Sequence, residues 1–223
     1  LQRALISTLR FYDESGADGI LSEYFTPTQP DKDIFIKNKF SIASNIYGAK
    51  ASSLTSKLSK GSSIELIPFT QKNKREYSKE FTELLLKFDT KLYRDFNKAY
   101  GVSVYKSSIS SSRDQRIRIS YFLDTLVKSH DWYSYLIIDT DESIIGFIKG
   151  KITRSTGLIN TDFYMLEKSF KKLSEFALQK FSNIMSQVAD STIIIETPSS
   201  DALMNNALSR WFGKSIVHTY SHF

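Results

Sequence analysis

From Ile64 to the C-terminus the spacing of apolar residues switches repeatedly between the helical and the strand period, and the order of those switches constrains the fold more than anything else in the chain. Phe81, Leu85, Phe88, Leu92, Phe96 and Ala99 follow one another at steps of four, three, four, four and three, which keeps one face of a helix. Leu166, Phe170, Leu173, Ala177, Phe181, Ile184 and Val188 do the same at steps of four, three, four, four, three and four. Between them SRDQRIRISYFLDTLVKSH predicts a helix with Ile119, Phe122, Leu123, Leu126 and Val127 inward and Ser111 or Ser112 as its cap. SIELIPF alternates and stops at Pro68, so it reads as a short strand. WYSYLIIDTDESIIGFIKGKI reads as a hairpin around Asp141, Glu142 and Ser143, and GLINTDFYML alternates as the next strand. STIIIETP is almost wholly apolar, the pattern of a strand covered on both faces. SSDALMNNALSRWF and KSIVHTYSHF complete the chain as helix and strand. The predicted order is β, α, α, β, β, β, α, β, α, β. It describes an α/β protein of the α+β kind, a mixed sheet flanked by helices.

Residues 1–63 lack this clarity. LQRALISTLRFY reads as a short helix and FTPTQPDKD as a loop, and the Ser- and Lys-rich residues 50–63 read as a linker. The expectation is an N-terminal extension, 1–63, followed by one domain, 64–223. With 41% apolar residues, 16 Phe and 12 Tyr, the chain can fill a core. It has no cysteine, which excludes a thiol nucleophile, a disulfide framework and a cysteine-ligated metal. No apolar run approaches the roughly 18 residues of a membrane span. A cytoplasmic protein is expected, with a secreted bacterial protein as the other possibility.

The formal charge of +6 suits an anionic partner: nucleic acid, lipid or a phosphorylated ligand. Lys168, Lys171 and Lys172 crowd the start of a helix, where they oppose the helix dipole unless an anion sits there. Lys72, Lys74, Arg75, Arg113, Arg116 and Arg118 form a second basic group. Metal binding is not expected. His218 and His222 share a strand face but sit about 13 Å apart. DESGADGILSEY fails the register of a calcium loop, with Asp18 where glycine is needed and Tyr24 where glutamate is needed.

The element order, together with YLIIDTDESIIGFIKGKI and LMNNALSRWFGKSIVHTYSHF, resembles the GCN5-related N-acetyltransferase (GNAT) family over about residues 64–223. The resemblance implies an acyl-coenzyme A thioester, acetyl-CoA or a longer acyl form, lying in a gap between the fourth and fifth of the strands counted from Ile64, around 159–165 and 192–197. It implies that the backbone of Met165, Leu166 and Lys168 holds the pantetheine. The turn carrying Ser169, Lys171, Lys172 and Ser174 would hold the phosphates, through free N–H groups and the positive helix end. Asp162, which shares a strand face with Asn160 and Tyr164, or Glu196 would take the proton of an acceptor amine. The family's glycine-rich turn falls on Phe170–Glu175, where this chain has no glycine. The family's asparagine falls on Met204 with Asn205 beside it, and its acid tyrosine falls on Trp211, leaving Tyr220 as the substitute. Two readings follow from the resemblance: a diverged N-acyltransferase, or a catalytically silent domain of the same shape that binds protein or nucleic acid through its basic surface.

Overall fold

The computed structural model describes residues 20–25, 37, 40–55, 64–100, 112–188 and 191–222. The N-terminal helix and first loop expected from the sequence, and most of the 50–63 linker, lie outside the described residues. The strands are β1 (Ile20–Phe25), β2 (Ser41–Lys50), β3 (Ile64–Pro68), β4 (Trp132–Asp139), β5 (Ile144–Thr153), β6 (Leu158–Met165), β7 (Thr192–Pro198) and β8 (Val217–His222). The helices are α1 (Ala51–Leu54), α2 (Lys74–Tyr100), α3 (Ser112–Lys128), α4 (Glu167–Met185) and α5 (Ala202–Phe212). From β3 onward this is the order the hydrophobic periods predict.

The eight strands among the described residues form one sheet in the order β1-β8-β2-β7-β6-β5-β4-β3. Neighbours are antiparallel except β6 and β7, which the α4 crossover makes parallel. The β4–β5 hairpin closes where Asp139 Oδ1 accepts from the N–H groups of Asp141 (3.1 Å) and Ser143 (3.0 Å), with Glu142 at φ 58°. Gly146 is required by close packing: a Cβ there would meet Tyr164 O at 2.3 Å.

Each face of the sheet carries its own core. On one side α2 and α3 bury Phe81, Leu85, Leu123 and Leu126 against Leu136 and Phe147. Phe147 is fully buried, with the rings of Phe81 and Phe88 each 5.4 Å away. On the other side α4 and α5 bury Ala177, Phe181, Leu208 and Trp211 against Ile148, Ile159, Phe163, Ile193 and Ile195. Burying such side chains contributes about 1.5–3 kcal/mol each before chain entropy is subtracted. Successive residues of a strand therefore point into different cores. Phe163 and Met165 face α4, while Tyr164, one residue between them, packs with the α2/α3 core.

The departure from expectation lies in β2. Residues read as part of an extension form a ten-residue strand inside the sheet, paired with β7 on one edge and β8 on the other. Ala51 and Leu54, read as linker, are buried in α1. The sequence SIASNIYGAK shows no apolar alternation because the strand is covered on both faces and packs by small residues: Ala43 and Ser44 are both 0% exposed. The resemblance to the family was drawn without this strand, yet it separates β7 from β8.

Candidate functional site

β6 and β7 are paired only over Leu158–Asn160 against Thr192–Ile194. Beyond these residues they part, which is the gap expected between the two strands. Each wall is held open by its outer neighbour. β6 stays paired with β5 to Met165, and β7 stays paired with β2 to Pro198. The backbone edges of 161–165 and 195–198 thus face each other across the gap without a strand partner on that side. Buried peptide groups must find hydrogen bonds, so such a gap suits a ligand that carries amides of its own. The cleft there has about 780 Å³ of empty space, open mouth included. Its walls include Asp162, Tyr164, Met165, Glu196 and Pro198, with Phe88, Lys91 and Asp95 from α2 and Asp201, Leu203 and Met204 at the start of α5.

The two faces of this gap differ in charge. Toward α4 and α5 a groove runs past Phe170, Lys171, Leu203, Asn206, Ser209 and Arg210. Arg210 also bonds Glu175 at 3.2 Å. Toward α2 the lining is rich in carboxylates. Lys91 bridges Asp95, at 2.6 Å, and Asp201, which also caps α5 by accepting from Met204 N–H at 3.1 Å. Burial acts to lower the Lys91 pKa, but the hydrogen bonds and charges of Asp201 and Asp95 outweigh it and hold the ammonium above the ordinary lysine value.

Both candidate bases reach the gap, in different states. Asp162 bonds the ammonium of Lys149, itself 8% exposed and set over the rings of Phe122 (5.1 Å), Trp132 (5.7 Å) and Phe88 (6.0 Å). A cation held by three rings and a carboxylate is well retained, so Asp162 is largely committed. Asp89 lies in the same field. Burial raises its pKa, opposed by Lys149 and reinforced by Asp162. Glu196 is exposed to the gap, accepts from Ser44 Oγ at 2.5 Å, and has no ion pair among the described residues. Tyr164 also lines the gap, and burial raises its pKa, so it is a phenol at neutral pH.

The structure rearranges the expected ligand set. The turn over 169–174 is helix, since α4 starts at Glu167 with Leu166 as its N-cap. The Leu166 N–H is taken by Ile145 O (2.8 Å), while Leu166 O accepts from Ser169 and Phe170 N–H. The free N–H groups of the helix tip therefore belong to Glu167 and Lys168, earlier than expected. Lys168 and Lys171 are exposed and Ser169 is half-buried. The side chain of Lys172 lies outside the described residues. Ser174 is corrected: it lies seven residues into the helix, about 10 Å from the tip, 1% exposed and facing the core. Asn205 is corrected too. Its amide donates to Pro198 O and Asp201 O (2.8 Å each) and accepts from Asn45 (2.7 Å) and Tyr47 (3.1 Å), which fills its capacity. It ties α5 to β7 and β2. Tyr220 sits on β8, with β2 between that strand and β7, about 10 Å from the wall of the gap. The side chain of Tyr220 lies outside the described residues. Trp211, at the family's tyrosine position, is core, 6% exposed.

The sequence reading missed Lys91, Asp95, Asp201 and Ser44. Lys91 and Asp95 at i,i+4, and an Asp before the final helix, were visible signals. Nothing marked Ser44. In the second basic group Lys74 bonds Asp124 and Arg116 bonds Glu83 (2.8 Å), so two of those cations are satisfied internally. Among the described residues no cluster of three or more His, Cys, Asp or Glu could hold a metal, and no helix is long and apolar enough to cross a membrane.

No protein-family model matches the sequence, and no curated protein matches it. Solved structures do match. A GNAT-family acetyltransferase from Colwellia psychrerythraea is 11% identical with a TM-score of 0.54. That match covers 92% of this chain and 64% of the other, so the chain spans less than two thirds of that enzyme. Spermidine N-acetyltransferase from Vibrio cholerae, in complex with CoA and spermine, is 8% identical with a TM-score of 0.51, covering 73% of this chain and 96% of the other. A conserved protein of unknown function from Staphylococcus epidermidis is 10% identical with a TM-score of 0.51, covering 98% of this chain and 77% of the other. At such identities the likeness speaks for architecture, and the fold of this chain is that of the GCN5-related N-acetyltransferases.

Proposed function

We propose that the protein is an acyl-CoA-dependent N-acyltransferase. The observation that carries the reading is the gap between β6 and β7, where two parallel strands stop pairing after Asn160 and Ile194 and leave facing backbone edges. A pantetheine arm is a chain with two amides, the kind of group such edges bind. Met165 and the first turn of α4 line its path. The groove with Lys171 and Arg210 offers cations for the phosphates, in place of a glycine cradle. The acceptor amine would approach from the carboxylate-lined side beneath α2.

The chemistry then needs few groups. The amine nitrogen attacks the thioester carbonyl carbon, forming the C–N bond. Glu196 takes the proton that nitrogen loses, and the C–S bond breaks. The sulfur leaves as a thiolate and is protonated to the free thiol, for which Tyr164 is the nearest phenol lining the gap. Asp162 stays with Lys149 and shapes the field. In this reading Tyr164 replaces Tyr220, whose strand lies away from the gap.

Calorimetric titration with acetyl-CoA and longer acyl-CoAs tests the reading. Micromolar to submillimolar binding is expected, weakened at least tenfold by Lys171→Glu combined with Arg210→Glu. If no acyl-CoA binds at millimolar concentration, the reading is lost.

A further inference from the structure

We infer that Ser44, on the strand that precedes the region resembling the family, is a positioning residue for the proposed reaction: it holds the Glu196 carboxylate in the gap. The inference rests on the acyltransferase reading above.

Ser44 is 0% exposed and its hydroxyl donates to Glu196 Oε1 at 2.5 Å, across 152 residues of sequence. That length belongs to strong O–H···O⁻ bonds. The contact is built by strand register. Ile46 lies opposite Glu196, and Ser44 lies two residues along β2 on the same face, within diagonal reach of the glutamate. The approach depends on a bulge. Ile42 pairs with Tyr220 and Ser44 with Thr219, so Ala43 is an extra residue that re-aims the strand at this point. Ala43 O accepts from Ser199 N–H at 2.9 Å, which fastens the bulge to the end of β7. The serine has one proton to donate, and Oε1 receives it. Oε2 is then the oxygen left for the acceptor amine, and the side chain is held in one rotamer. An exposed glutamate without this bond would sample several rotamers, each less often placed to receive the proton.

Steady-state kinetics and acyl-CoA titration on the full chain test this, with an amine acceptor found by screening. Ser44→Ala is expected to lower kcat about tenfold to a hundredfold, the worth of a hydrogen bond to a charged group. The KM and calorimetric affinity for acyl-CoA should stay within about twofold. Ser44→Cys, which is slightly larger and weakens the donor, should fall between. If Ser44→Ala melts below the assay temperature, Ser44→Cys carries the test. In a Glu196→Gln background, replacing Ser44 should cost nothing further, because the two act as one unit. A merely structural serine would add its loss to that of Glu196→Gln. Full kcat in folded Ser44→Ala, or additive losses in the double variant, overturns the inference while a slow Glu196→Gln leaves the acyltransferase reading standing. A wild-type chain that neither binds nor turns over any acyl-CoA overturns both.

Discussion

The sheet has two halves, and they differ in how they are held and how visibly they are encoded. From β3 to β6 every pairing is antiparallel between strands adjacent in sequence, apart from the long excursion through α2 and α3. Large apolar side chains alternate along these strands and fill two cores. From β7 to β1 the neighbours come from opposite ends of the chain, and the central strand packs by Ala43, Ser44 and Gly48. The first half is stabilised by bulk, the second by close approach of backbones. The gap lies on the seam between them, where neither kind of packing continues.

The comparison breaks most severely if the N-terminal segment is removed. A chain beginning at Ile64 would expose the inner edges of β7 and β8. The expected result is loss of any cooperative thermal transition by calorimetry. An intact two-state melt would show that β2 is an appendage and that 64–223 is a separable domain. Next in size is Phe147→Ala in the first half, expected to cost about 3–5 kcal/mol in denaturant unfolding, because three rings close on that side chain. Ala43→Leu in the second half should cost about 1–3 kcal/mol by overpacking a fully buried site. If the halves form one cooperative unit, both variants shift a single transition and keep its slope.

Asp89→Asn sharpens the contrast from the electrostatic side. Burial raises the folded-state pKa of Asp89, so stability is lost as pH climbs from the ordinary 3.8 through that raised value, and the loss is complete above it. The amide should raise Tm by about 1–2 °C at pH 7. The gain should fade as pH drops through the raised value toward the ordinary 3.8. A gain that persists at pH 3 would show that it has another cause.

Much of the first half was legible in the sequence. The series from Phe81 to Ala99 lies in α2, and the polar turn closes on Asp139 as a hairpin. The gap was legible only through the family resemblance, which implied that the strands around 159–165 and 192–197 part; the crossover alone dictates that they run parallel. The second half was not. A strand in which Ile42, Ile46 and Tyr47 are interspersed with Ser, Ala, Asn and Gly gives no regular period, although Tyr47 is buried in the core. The site residues were legible only where chemistry follows local position. Asp162 and Glu196 line the gap, but Lys149 opposite Asp162 and Ser44 beside Glu196 are set by strand pairing, which no local spacing reports. Asn205 looked like a ligand because it stands beside the position of a family asparagine, and its amide proved to be consumed by α5 and its neighbours.

The placement of β2 between β7 and β8 also has a consequence for how the molecule is made. During synthesis this strand leaves the ribosome well before its partners, which lie about 150 residues downstream. Contacts of such sequence separation raise contact order and slow folding. One wall of the gap therefore cannot set until those downstream strands have emerged, and the interval is one in which β2 is open to the wrong edge, a hazard a chaperone would relieve.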